Sequence, residues 1–139
     1  MVSTLWHARS YELILILVII LFAWLRFGLV DVPLERDEGE YAYAGQLILQ
    51  GSLPYQDVYT MKLPGVHLMY AGIMAIFGQT HQGIRIGLIL INAVVIITLF
   101  LLGRRLMGPV AGLTAAGVFA VLSCGQAVQG AFANAEHFV

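Results

Sequence analysis

From Leu13 to Leu25 the chain carries no charged residue and no proline or glycine. With its flanks, from Tyr11 to Val30, this run reaches the ~20 residues that cross a ~30 Å hydrocarbon core as a helix. Lipid offers no partner to a backbone N–H or C=O, so a segment of this kind must satisfy its hydrogen bonds internally. The rest of the chain agrees: 60% of its residues are hydrophobic and 11% are charged, a balance that places it among integral membrane proteins. Arg9 and His7 before the run resemble the start of a signal peptide. The apolar stretch nevertheless exceeds a signal's ~7 to 15 residues, and no A-x-A pattern follows, so an anchor is expected.

Two further apolar segments read as spans. Residues 84–105 form one, ending at Gly103-Arg104-Arg105, and residues 109–128 form another, opened by Pro109 and rich in the small residues that let helices pack closely in lipid. Between the first and second spans lies a loop, residues 31–83, with two shorter helical patterns. Tyr41, Ala44, Gly45 and Ile48 follow helical spacing within residues 38–50. Asp37 and Glu40 are spaced as a capping box for that helix, and Gly51 with Pro54 supplies its stop. Residues 65–77 are apolar but too short to span, and read as an interfacial helix. The expected fold is all-α: a polytopic transmembrane protein with about three spanning helices and two juxtamembrane helices. The apolar turn after Glu136 reads as the start of a fourth span near 136–139, and the chain as the amino-terminal piece of a longer protein.

Charge gives the expected orientation. The positive-inside rule puts Arg9 and the Arg104–Arg105 pair in the cytoplasm, which requires an even number of crossings between them. Two crossings satisfy it if residues 65–77 stay at the surface. The loop and Glu136 then share the outer face.

That loop holds the residues with chemistry. Glu35, Asp37, Glu38 and Glu40 fall within six positions, where the first helix leaves the membrane. Asp37 and Glu38 are adjacent, about 100° apart on a helix, so their roles must differ: one can act as a base while the other positions a partner, or Asp37 simply caps a helix and its neighbours are solvated. Lys62, the one lysine in the chain, lies in a Met-Lys-Leu-Pro-Gly connector and can hold a phosphate or anchor to headgroups. Arg85 invites the same two readings. Glu136, beside His137 at the entry to an apolar segment, is costly enough there to count as a functional candidate. Tyr41 and Tyr59 join Lys62 and Arg85 as candidate substrate contacts.

Some classes are disfavoured. One cysteine, Cys124, permits no internal disulfide. His7, His67, His81 and His137 lack zinc-site spacing, no phosphate loop with its Lys-Ser/Thr pair is present, and no basic tract argues for nucleic acid. A divalent cation at the clustered carboxylates stays open, with the metal unknown. A transporter or channel subunit with the carboxylates lining an ion path is the competing reading.

The order of elements resembles a known family. An Arg-Asp-Glu-Gly-Glu-Tyr-Ala-Tyr-Ala segment after the first span, a Leu-Pro-Tyr connector, Lys62-Leu-Pro-Gly, a short helix ending Phe77-Gly78, Arg85, and a helix ending Leu102-Gly103-Arg104-Arg105-Leu106 are similar to membrane glycosyltransferases of the GT-C type. The nearest likeness is to the protein O-mannosyltransferase and aminoarabinose transferase group, glycosyltransferase family 39. The resemblance implies a polytopic enzyme of the plasma membrane, in bacteria the inner membrane. It would move a sugar from a polyprenyl-phosphate carrier to an acceptor hydroxyl of a protein, lipid or glycan on the outer face, with inversion. It implies an active-site acid matching Asp37 with Glu38 beside it, and a lysine near the donor phosphate matching Lys62, although relatives often have Lys-Pro-Pro where this chain has Lys-Leu-Pro. It also implies a second acid matching Glu136, and many more helices than this chain carries, so that residues 1–139 would be inactive by themselves.

Overall fold

Prolines and glycines mark the boundaries of the last three helices: two of these begin with a proline and two are left through a glycine. The computed structural model describes residues 2–125 and 132–134, with side chains from residue 10 onward. Among the described residues there are five helices and no strand: α1 (Val2–Phe27), α2 (Arg36–Leu49), α3 (Pro64–Phe77), α4 (His81–Met107) and α5 (Pro109–Leu122). Pro64 and Pro109 open α3 and α5 at the first helical position, where a missing N–H leaves no hydrogen bond unmade. The chain leaves α3 at Gly78 and α4 at Gly108 with φ of 88° and 99°, a region glycine enters without a Cβ clash. Thr80 starts α4, its Oγ1 accepting the Gly83 N–H at 3.0 Å.

This is the all-helical, membrane-type architecture the apolar runs imply. Two stretches are long and apolar enough to cross a bilayer, Ser10–Phe27 of α1 and His81–Met107 of α4. At 1.5 Å per residue the 27 residues of α4 extend about 40 Å. The loop helices expected at 38–50 and 65–77 are α2 and α3, each 14 residues and about 21 Å long. The apolar segment expected over 109–128 is helical from Pro109 to Leu122. Residues 126–131, and the expected span near 136–139, lie outside the described residues.

The chain divides into two units, residues 1–28 with 89–131 and residues 29–88 with 132–139. In the first, α1, most of α4 and α5 share an apolar core of Leu15, Phe22, Ile96, Phe100, Ala116 and Ala120. The α4–α5 hairpin is closed by two glycines. A Cβ on Gly103 would lie 2.7 Å from Gly112 Cα, and one on Gly112 would lie 2.5 Å from the Phe100 carbonyl oxygen. Leu17, Ile20 and Trp24 of α1 are exposed, as suits a surface whose solvent is lipid.

In the second unit α2 packs along α3 over Tyr41, Val66, Tyr70 and Met74, joined by Ile84 and Leu88 of α4 and by Ala133. Gly45 makes the approach possible, since a Cβ there would meet Ala71 N at 2.9 Å and Met74 Cε at 2.8 Å. The face of α3 turned away from α2 is also apolar, with Leu68, Met69 and Ile76 exposed. A helix apolar on both faces needs cover on both.

Candidate active site

The first turn of α2 sets the site. Sequence spacing favours Asp37 with Glu40 as its capping box, but the helix starts two residues earlier. Glu35 is the N-cap, and Glu38, three positions on, accepts the Glu35 N–H on Oε2 at 2.8 Å. The same spacing occurs twice in the cluster. The earlier copy is selected because it turns Glu38 inward to an arginine, a partner no local pattern reveals. Asp37 then stands at the second helical position, exposed, about 100° around the helix from Glu38.

Glu38 is fully buried and fully engaged. Arg85, on α4 and 3% exposed, grips it in a fork, Nη1 to Oε1 at 2.5 Å and Nη2 to Oε2 at 2.9 Å. Arg85 Nη2 also donates to the Pro33 carbonyl at 3.0 Å, and the guanidinium lies 5.5 Å from the Phe132 ring centroid. Oε1 further accepts the backbone N–H of Ala133. Glu35, Ala133 and the two Arg85 nitrogens together fill the roughly four lone-pair sites of a carboxylate. Glu38, grouped with Asp37 among the catalytic candidates, thus has no acceptor left for a substrate proton. Arg85, grouped with the substrate contacts, already has its charge met.

Ala133 is held from its other side as well. The Tyr70 phenol donates to its carbonyl at 2.5 Å, across 63 residues of sequence. Burial, with the Glu38 charge beside it, pushes the Tyr70 hydroxyl far above its ordinary pKa, so it remains a donor. The segment 132–134 is therefore pinned by α2 through Glu38, by α3 through Tyr70 and by α4 through the Arg85–Phe132 contact.

The other candidates separate by exposure. Tyr41 is 1% exposed, its ring 5.6 Å from Tyr70 and 6.0 Å from His67, so it lies in the core of the second unit. Lys62 and Tyr59 are exposed on the connector between α2 and α3. Glu136 lies outside the described residues. Among the described residues no three His, Cys, Asp or Glu side chains converge where a metal ion could be held.

Tyr70 and Ala133 escape sequence reasoning. Tyr70 reads as one more apolar position on α3, and Ala133 contributes only its backbone. His67 is buried, with its Nε2 making no hydrogen bond among the described residues. Desolvation lowers its pKa below 6.5, against the opposing pull of Glu40.

Residues 61–137, a little over half of the chain, match the model of a family described as dolichyl-phosphate-mannose-protein mannosyltransferase. No curated protein and no solved structure matches the chain.

Proposed function

Because the chain belongs to the dolichyl-phosphate-mannose-protein mannosyltransferase family, we propose that it is the amino-terminal membrane part of an enzyme that transfers a sugar from a polyprenyl-phosphate carrier. The acceptor is a hydroxyl presented at the outer face of the membrane, on a protein, lipid or glycan. A carrier with an apolar tail and a charged head keeps its tail in lipid and its head in water, so its chemistry belongs at the interface. The observation that carries the reading is the division of labour within one turn of α2. Glu38 is buried and filled, while the Asp37 side chain, one residue away, is exposed.

In this reading Asp37 is the general base. The acceptor oxygen attacks the anomeric carbon as its proton passes to the Asp37 carboxylate. The bond from that carbon to the phosphate oxygen breaks, the electron pair leaves with the polyprenyl phosphate, and the anomeric centre inverts. Base catalysis of this kind is worth ~10²- to 10⁴-fold. Lys62 lies against the phosphate and offsets the charge that develops there, with Tyr59 beside it on the connector. Glu38, Arg85 and Tyr70 form the frame and hold Ala133, three residues before Glu136 in the sequence. Glu136 keeps the place of second acid that the resemblance gives it. The whole protein, with the further helices that the resemblance implies, is the catalytic unit, and residues 1–139 by themselves are inactive.

The orientation follows from charge: amino terminus in the cytoplasm, α1 and α4 as crossings, α2 and α3 at the outer surface of the plasma membrane. The ion pair of Glu12 with Arg104, 3.5 Å, supports this, since it joins the start of the apolar stretch of α1, Ser10–Phe27, to the end of α4 and so favours an even number of crossings. An ion path along the carboxylates is less favoured, because the oxygens of Glu38 are occupied.

The test is transfer by the complete protein in membranes from a labelled polyprenyl-phosphate sugar. Asp37→Asn is expected to reduce the rate by at least ~100-fold with insertion unchanged, and retained transfer removes Asp37 from the role of base.

A further inference from the structure

The connector between α2 and α3 has one backbone feature of its own. Tyr55 has φ of 68° and is the one non-glycine among the described residues with positive φ, a conformation uncommon for any side chain with a Cβ. Such a conformation persists where surrounding contacts over-determine it, and Tyr55 has two. Its ring stands edge-on to His67, centroids 6.2 Å apart and planes at 82°. Its hydroxyl donates to the backbone carbonyl of Lys62 at 2.8 Å.

These contacts meet at the lysine. His67 is 2% exposed and packed on its other side by Tyr41, so the Tyr55 ring rests on a core residue fixed between α2 and α3. The Lys62 N–H donates to Thr60 Oγ1 at 3.2 Å, so both backbone polar groups of Lys62 are engaged. Met61 and Leu63 on either side of it are 89% and 82% exposed and add no buried anchor. A lysine on an exposed turn would lose much of its binding free energy in ordering that turn. A turn already fixed avoids the loss.

We propose that Tyr55 is a positioning residue for the sugar donor. Seated on His67, its phenol fixes the backbone of Lys62 so that the ammonium is presented to the donor phosphate. Tyr55 itself touches no substrate. The inference rests on the reading of Lys62 as the phosphate contact, and the experiment separates the two.

Tyr55→Phe keeps the ring on His67 and removes only the donor to Lys62. In the complete protein, reconstituted with a polyprenyl-phosphate sugar and a saturating acceptor, Lys62→Ala is expected to raise the donor KM roughly tenfold or more. Tyr55→Phe is expected to raise it about threefold to tenfold with kcat nearly unchanged. The double variant should be no worse than Lys62→Ala, because residues acting through one another are non-additive. If Tyr55→Phe leaves the donor KM at the wild-type value, or the two effects multiply independently, the positioning role is overturned while Lys62 keeps its own. If Lys62→Ala leaves the donor KM unchanged, the reading of Lys62 falls and this inference with it. A readout free of activity uses the fact that Lys62 is the one lysine in residues 1–139. With a tag at the amino terminus, lysine-specific proteolysis after Lys62 should be several-fold faster in Tyr55→Phe. An unchanged cleavage rate would overturn the proposal.

Discussion

In the first unit glycines bring backbones together, Gly103 against Gly112 and Gly112 against the Phe100 carbonyl, and apolar side chains form the core around them. The second unit also uses a glycine, Gly45, for a close helix approach, but it buries a carboxylate bound by a guanidinium and a peptide N–H beside an apolar core of similar kind. Apolar packing is non-directional and tolerates many solutions. A buried carboxylate with four donors tolerates one. The first unit is held chiefly by apolar packing, and the second also holds particular polar groups in particular places.

The largest effect that could break this contrast is at Arg85. Arg85→Ala leaves Glu38 buried without its counter-charge, which costs about 3–5 kcal/mol, and thermal unfolding of the detergent-solubilised protein should show it. An apolar replacement of both partners should recover much of that stability without restoring transfer, because Ala133 loses its anchor. Recovery of transfer would show that the ion pair is only structural.

Next comes Gly112→Ala in the first unit, where the added Cβ meets backbone at 2.5 Å. Overpacking of this kind costs about 1–3 kcal/mol. It should lower stability and leave the donor KM untouched, and a changed KM would mean that the two units do not divide packing from chemistry.

A gentler effect is expected from pH. His67 has a lowered pKa in the folded protein, so below the ordinary value of 6.5 the unfolded chain binds a proton that the folded chain resists. Stability is therefore full above about pH 6.5 and declines as pH falls toward the lowered folded value. Unfolding midpoints measured down that range should fall in the wild type and fall less in His67→Phe.

Smallest is Glu12→Gln, which removes the surface pair with Arg104. Both side chains are about half exposed, and such pairs contribute ~0–1 kcal/mol. A larger loss would place an unexpected polar lock in the apolar unit.

Helix positions were largely legible in the sequence, since Pro64, Gly78, Gly108 and Pro109 act on the backbone within a residue or two of themselves. Asp37 and Lys62 were legible as exposed charges with chemical potential. The cap was not, because Glu35–Glu38 and Asp37–Glu40 offer the same spacing and only Arg85 distinguishes them. The surroundings of Tyr41 were not legible either: the tyrosine stands near carboxylates in the sequence, while Tyr70 and His67 pack against its ring only in the fold.

The sequence by itself determined which segments can leave water, where the chain must turn, and that four carboxylates gather soon after the first apolar run. Those properties depend on transfer free energy and local backbone geometry, both carried by neighbouring residues. The tertiary structure decided that Glu38 is a filled acceptor and Asp37 an open one. It did so through partners 47 and 95 residues away in the chain, at separations where no spacing rule operates and only the packing of α2, α3 and α4 fixes which groups meet.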